Sequence, residues 1–172
     1  ELVRHPNTYS IMEHDHKYIK SRDPSQYPNF LVAKNDLINQ SFYINAKNIF
    51  AQSSLHAEVI SKNLNLSSVV NLGMSLWSDE HLDIIESFVD TEKSSPHAVL
   101  DSKNPTKNTF RNIRFCESKG LSYTKISSPD YSTFIDQLSK CEKLVYFPAV
   151  LETFNRMLIE ARMLNCRVIT NE

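Results

Sequence analysis

Two glutamates near the C-terminus, Glu152 and Glu160, carry the most chemistry that this chain offers at a recognisable spacing. They follow a proline, Pro148, and flank the run Thr153-Phe154-Asn155-Arg156. Carboxylates accept hydrogen bonds from hydroxyl groups, and the amides at a helix entrance hold anions. If residues 153–164 form a helix, its first amides near Phe154 and Asn155 are open to phosphate. An eight-residue step is roughly two turns, which places both carboxylates broadly on one side. Diphosphate on the amides and hydroxyls on the carboxylates is the chemistry of a sugar nucleotide. Two lysines, Lys103 and Lys107, sit in another polar loop and could serve as point charges for phosphate.

A third cluster is Glu13-His14-Asp15-His16. Read as a strand, it turns His14 and His16 to one side and Asp15 to the other. Two histidines from one segment lack the third protein ligand of a catalytic zinc, so no metal is expected there. Contact of His14 or His16 with a substrate is the more interesting reading, and a satisfied polar strand end is the plain one. For Glu152 and Glu160 the plain alternative is a pair of helix carboxylates, one at the helix N-terminus and one paired with Arg156 or Arg162.

The elements that must position these groups alternate. Strand patterns at residues 9–12, 46–51, 69–72, 97–100, 121–126, 143–147 and 166–170 are interleaved with helical patterns at 53–62, 78–88, 106–119, 131–141 and 153–164. Residues 20–41 are polar, punctuated by proline, and read as loop. The helix at 106–119 turns Phe110, Ile113 and either Cys116 or Phe115 inward and stops at Gly120. This alternation implies parallel sheets of the Rossmann-like α/β kind, buried on both faces where apolar residues run on, as at Leu144-Val145-Tyr146-Phe147. Residues 91–96 are short, polar and end in proline, which marks a boundary between a unit of residues 1–92 and one of residues 96–172.

Bulk properties exclude several classes. The 172 residues carry a net charge of −1, with lysine and arginine scattered, so nothing points to nucleic acid. No apolar run approaches the roughly 20 residues of a membrane span. Cys116, Cys141 and Cys166 fall in apolar stretches outside any metal spacing and read as reduced core residues of a cytoplasmic protein. There are only two glycines, where ordinary usage gives about twelve, so a glycine-rich phosphate loop is absent. The chain begins at Glu1 and ends soon after a strand pattern, which suggests part of a longer protein.

On Pro148, Glu152, Phe154, Glu160, Ala161 and the strand that follows, the sequence resembles the E-x7-E block of the retaining group-1 glycosyltransferases of the GT-B fold. The resemblance implies that Glu160 binds ribose hydroxyls, that Glu152 contacts the donor sugar, and that Thr153, Phe154 and Asn155 line the donor site. Asn155 stands where the family has glycine. Lys103 and Lys107 fall at the family's diphosphate-binding cations, with Ser102 and Asn108 replacing the neighbouring glycines. Residues 9–16 are similar to an N-terminal-lobe strand that ends in His-Asp at the cleft, which places His14 near the donor. On this resemblance, residues 1–92 form the end of an acceptor-side lobe and residues 96–172 a truncated donor-binding lobe. The implied activity is metal-independent transfer of a sugar from a nucleoside diphosphate sugar to a saccharide or lipid-linked acceptor, with no resident cofactor. The implied setting is cytoplasmic, or membrane-peripheral in the full-length protein, and the fragment alone is expected to bind donor weakly and not to turn over. A GT-B nucleotide-sugar epimerase and a non-catalytic α/β binding module are the alternatives.

Overall fold

The computed structural model describes residues 1–171. They form an α/β protein with two parallel, Rossmann-like sheets in two compact units. One unit comprises Glu1–Ser75 with Val150–Phe154, and the other comprises Leu76–Ala149 with the residues from Asn155 onward. The division falls at Ser75, earlier than the polar stretch at residues 91–96. That stretch is built into the second unit. Lys93 Nζ donates to the carbonyls of Ser139 and Leu164, at 2.7 and 2.6 Å, and the Ser94 and Ser95 amides share the Lys140 carbonyl.

The first unit contains β1 (Ser10–Met12), α1 (Gln40–Ile44), β2 (Asn48–Ala51), α2 (Ser54–Leu64) and β3 (Val69–Asn71). Its strands lie side by side in chain order. Ser53 caps α2 by accepting the His56 amide, so the chain turns from strand into helix within two residues of Ala51. Residues between β1 and α1 make short 3₁₀ turns rather than longer elements, as the prolines suggest. The core joins Ile11, Ile49 and Ala51 of the sheet to Ile60 and Leu64 of α2, and is completed by Tyr18, Ile19 and Tyr43.

The second unit contains α3 (Asp79–Ser87), β4 (Ser95–Leu100), α4 (Thr109–Ser118), β5 (Thr124–Ile126), α5 (Tyr131–Ser139), β6 (Cys141–Val145), α6 (Arg156–Met163) and β7 (Arg167–Ile169). The strand order is β5-β4-β6-β7, all parallel. Alternate residues feed two cores. Ala98, Leu144 and Tyr146 face Ile85, Ile135, Leu138 and Ala161, whereas Val99, Val145 and Phe147 face Cys116. Burial on both faces explains why Leu144 to Phe147 shows no polar alternation.

Two helices differ from their sequence patterns. α6 begins at Arg156 rather than at Thr153, with Asn155 as its cap. α4 begins at Thr109, after a 3₁₀ turn at Pro105–Lys107, and its inner face carries Asn112 and Cys116. Phe110, expected inside, is 70% exposed. Asn112 wins the inner position because its amide has hydrogen bonds to make there.

Glycine scarcity has a visible consequence. Among the described residues, nine that are not glycine have positive φ, and six of them are asparagines, among them Asn108 at 54°. Asparagine is the side chain that tolerates the left-handed region best, so it takes turns that glycine would usually fill. Gly120 itself, at φ 62°, follows the last turn of α4 as its pattern requires.

Candidate functional site

In the second unit the chain leaves β4 for β5 on one side, then returns to place β6 on the other. The strand order therefore reverses between β4 and β6, and ligands of open α/β sheets bind at the carboxyl ends of the strands at such a point. The two loops that leave these ends are residues 101–108 and 146–155. They are the stretches that carry Lys103 with Lys107, and Pro148 with Asn155. The Ala149 amide donates to the Thr106 carbonyl at 2.9 Å, which joins the loops directly. Asn112, fully buried beneath them, accepts from the Phe147 amide at 2.8 Å and donates to the Lys107 carbonyl at 3.2 Å.

The lysine loop is held by short polar side chains. Thr109 Oγ1 donates to the Leu100 carbonyl at 2.8 Å and accepts the Ser102 amide at 3.0 Å. Asn104 Oδ1 accepts both the amide and the hydroxyl of Thr106. Asn108 adopts the left-handed conformation that glycine would supply. Lys103 is exposed, and Lys107 is half-buried with its ammonium 5.9 Å from the centre of the Tyr146 ring. Two cations thus belong to a loop that is pinned by hydrogen bonds beside the switch point.

The entrance of α6 is different from the one its pattern implied. Asn155 is in an extended conformation, and its side chain accepts the Leu158 amide at 3.3 Å. One amide of the first turn is therefore taken by the protein itself, and Phe154 lies before the helix. Glu152 precedes Arg156 by four residues, so the eight-residue spacing does not place Glu152 and Glu160 on one helical side.

Glu160 is 4% exposed. Its Oε1 accepts from Trp77 Nε1 at 2.9 Å and from the Tyr131 hydroxyl at 3.0 Å, and lies 3.5 Å from Arg156 Nη2. Among the described residues, none donates to Oε2. Burial, then the neighbouring carboxylate, push the Tyr131 phenol well above its ordinary value, so Tyr131 stays a donor at all physiological pH. The Arg156 guanidinium lies over the Trp77 ring, 5.0 Å from its centre, and the His81 ring packs against Tyr131 at 4.2 Å. The sequence offered the Arg156 pairing through its four-residue spacing. It gave no sign of Trp77 or Tyr131 as partners, because 83 and 29 residues separate them from Glu160.

The remaining candidates belong to the first unit. β1 ends at Met12, so residues 13–16 are not a strand and the alternation that paired His14 with His16 does not apply. His14 is exposed. Its amide, with those of Asp15 and Lys17, is held by Oε1 of the buried Glu13, at 3.2, 3.0 and 3.3 Å. Glu13 Oε2 accepts the hydroxyl of Tyr43. His16 is buried at φ 33° with Nδ1 3.0 Å from the Tyr18 hydroxyl, and its ring meets that of buried His56 edge to face at 4.8 Å. Burial lowers both imidazoles from 6.5 to about 4, more than the charges of Asp15 and Asp23 (on His16) or of Glu13 (on His56) raise them.

Residues 150–154 join this network. The Thr153 hydroxyl donates to the His14 carbonyl, with the Gln52 side-chain amide 3.0 Å away. The Leu151 amide donates to Asp23 Oδ1 at 3.3 Å. Burial works to raise the Asp23 pKa, but hydrogen bonds from Ser25, the Leu151 amide and Gln26 outweigh it and hold that carboxyl below its ordinary value. Thr153 is buried, and Glu152 and Phe154 are half-buried. The structure thus brings Thr153 to His14 in one unit, and Lys103, Lys107, Asn155 and Glu160 into the other. Of the residues that organise the two loop systems, Glu13 entered the sequence reading only as part of the polar cluster at residues 13–16, and Asn112 had no reading as a site residue. A polar residue at the inner spacing Asn112–Cys116 was the available signal for Asn112.

Among the described residues, no three or more histidine, cysteine, aspartate or glutamate side chains cluster as a metal site, and no helix is long and apolar enough to cross a membrane. No protein-family model matches the chain, and no curated protein matches its sequence.

Proposed function

We propose that this chain is part of a GT-B glycosyltransferase, moving a sugar from a nucleoside diphosphate sugar to a saccharide or lipid-linked acceptor, with retention and without a metal. One observation carries the reading. The two stretches that resemble the family's diphosphate and E-x7-E blocks leave neighbouring strands at the point where the sheet order reverses, and the Ala149–Thr106 hydrogen bond joins them. Nothing in their sequence separation, about 45 residues, requires that.

In this reading Lys103, Lys107 and the remaining amides at the entrance of α6, beside Asn155, take the diphosphate. They stabilise the charge that grows on it as the sugar departs. Glu160 takes the ribose hydroxyls through Oε2. Glu152, with Thr153 and Phe154 around it, and His14 keep the roles the resemblance gives them at the transferred sugar. The substitution of Asn108 for glycine is compatible with phosphate approach, because the backbone there has the same left-handed turn.

The test is a titration of isotope-labelled protein with UDP, GDP and ADP, followed by amide chemical shifts, which register even millimolar affinity. At least one nucleotide is expected to move the amides of residues 102–108 and 155–160, and Glu160→Ala is expected to weaken it tenfold or more. Absence of any shift with all three, or identical curves for Glu160→Ala, would overturn the proposal. Release or epimerisation of the sugar from a bound donor without acceptor would favour an epimerase instead. Nucleotide binding with no turnover by any longer form of the protein would favour a binding module.

A further inference from the structure

We propose that Trp77 and Tyr131 are positioning residues for Glu160: by holding Oε1 they present Oε2 to the hydroxyls of a bound ribose. The proposal rests on the glycosyltransferase reading. Its own basis is the asymmetry of the carboxylate. The indole N–H of Trp77 and the phenol of Tyr131 converge on Oε1 at 2.9 and 3.0 Å, and Arg156 approaches the same atom. None of the described residues donates to Oε2. A glutamate in water rotates freely about its terminal bond and presents either oxygen. Here the two fixed donors, both half-buried and packed against the core of the second unit, remove that freedom.

Pre-orientation lowers the entropy that a ligand hydroxyl must overcome to bind, and so raises discrimination by that hydroxyl. Trp77 and Tyr131 therefore set how strongly the site tells a ribose from a sugar without hydroxyls, and leave diphosphate recognition untouched. Neither residue touches the ligand.

The experiment compares whichever of UDP, GDP and ADP binds the wild-type chain with its 2′,3′-dideoxy counterpart. The dideoxy nucleotide is expected to bind wild type about 10- to 100-fold more weakly, the range for a hydrogen bond to a charged group. In Tyr131→Phe and in Trp77→Phe the ratio is expected to fall to about threefold or less, with dideoxy affinity unchanged, which shows that each variant is folded and holds phosphate. A wild-type ratio retained in both variants overturns the proposal, as does a wild type that binds the two nucleotides equally. If wild type binds none of the three nucleotides, the glycosyltransferase reading fails first. The two failures are therefore distinguishable.

Discussion

At the carboxyl ends of its strands, the first unit buries its polar groups. Glu13 gathers three amides and the Tyr43 hydroxyl, and His16 and His56 pack ring against ring with no exposure to speak of. At the same ends of its own strands, the second unit leaves groups open. Lys103 stands in solvent, and Glu160 keeps one oxygen without a donor. Both units use short polar side chains to fix loops, but the first buries its polar groups even where His16 Nε2 and His56 Nε2 find no hydrogen-bond partner among the described residues, whereas the second keeps a lysine in solvent and a carboxylate oxygen without a donor. Buried imidazoles with an unpartnered nitrogen are sensitive to charge. A frame with open valences is what a ligand needs.

The sharpest way to break the comparison is acid. His16 and His56 titrate at about 4 in the folded protein and at 6.5 when unfolded, so the unfolded chain binds more protons between those values. Their contribution is complete above pH 6.5 and is lost as pH falls through about 4. A fall from 6.5 to about 4 is worth about 3 kcal/mol per ring, the two being coupled rather than additive. Urea unfolding measured from pH 7 to pH 4 should show the first unit failing before the second, and His56→Phe should flatten that dependence. Equal acid sensitivity of the two units would end the distinction.

Next in size is Glu13→Ala. It removes the acceptor of three amides and one hydroxyl, and about 3 kcal/mol of stability should go with it. The loss should appear in hydrogen exchange of His14, Asp15 and Lys17 before that of the second sheet. Asn112→Leu is the counterpart in the second unit. It leaves the buried Phe147 amide without an acceptor and should cost about 2 kcal/mol in denaturant unfolding, while loosening the loops at residues 101–108 and 146–149. The smallest effect expected is at Asn108. Replacement by alanine should cost about 1 kcal/mol because φ there is positive, and replacement by glycine should be close to neutral in thermal unfolding.

Much of the architecture was legible in the sequence because it depends on local repeats. The strand patterns at residues 9–12, 46–51, 69–72 and 97–100 each became a strand, the helical patterns at 53–62 and 78–88 became α2 and α3, and Gly120 follows α4 as its type requires. Parallel pairing followed from alternation alone. α6 starts three residues later than its pattern implies, since Thr153 and Asn155 can each cap a helix and the bonds from Thr153 to His14 and Gln52 engage the former elsewhere. Phe110 and Asn112 were exchanged for a similar reason. Hydrophobicity favours Phe110 inside, but two backbone groups from other loops need the amide of Asn112.

Glutamates 152 and 160, with which the chemistry began, show where the boundary falls. The sequence by itself determined their identity, their spacing and the alternating elements around them, because these are properties of neighbours along the chain. Only the tertiary structure decided that Glu152 lies outside the helix and within the packing of the first unit, and that Glu160 is clasped by Trp77 and Tyr131 through one oxygen. A hydrogen bond between residues dozens of positions apart leaves no periodic trace. Its partners meet only because the sheet has folded.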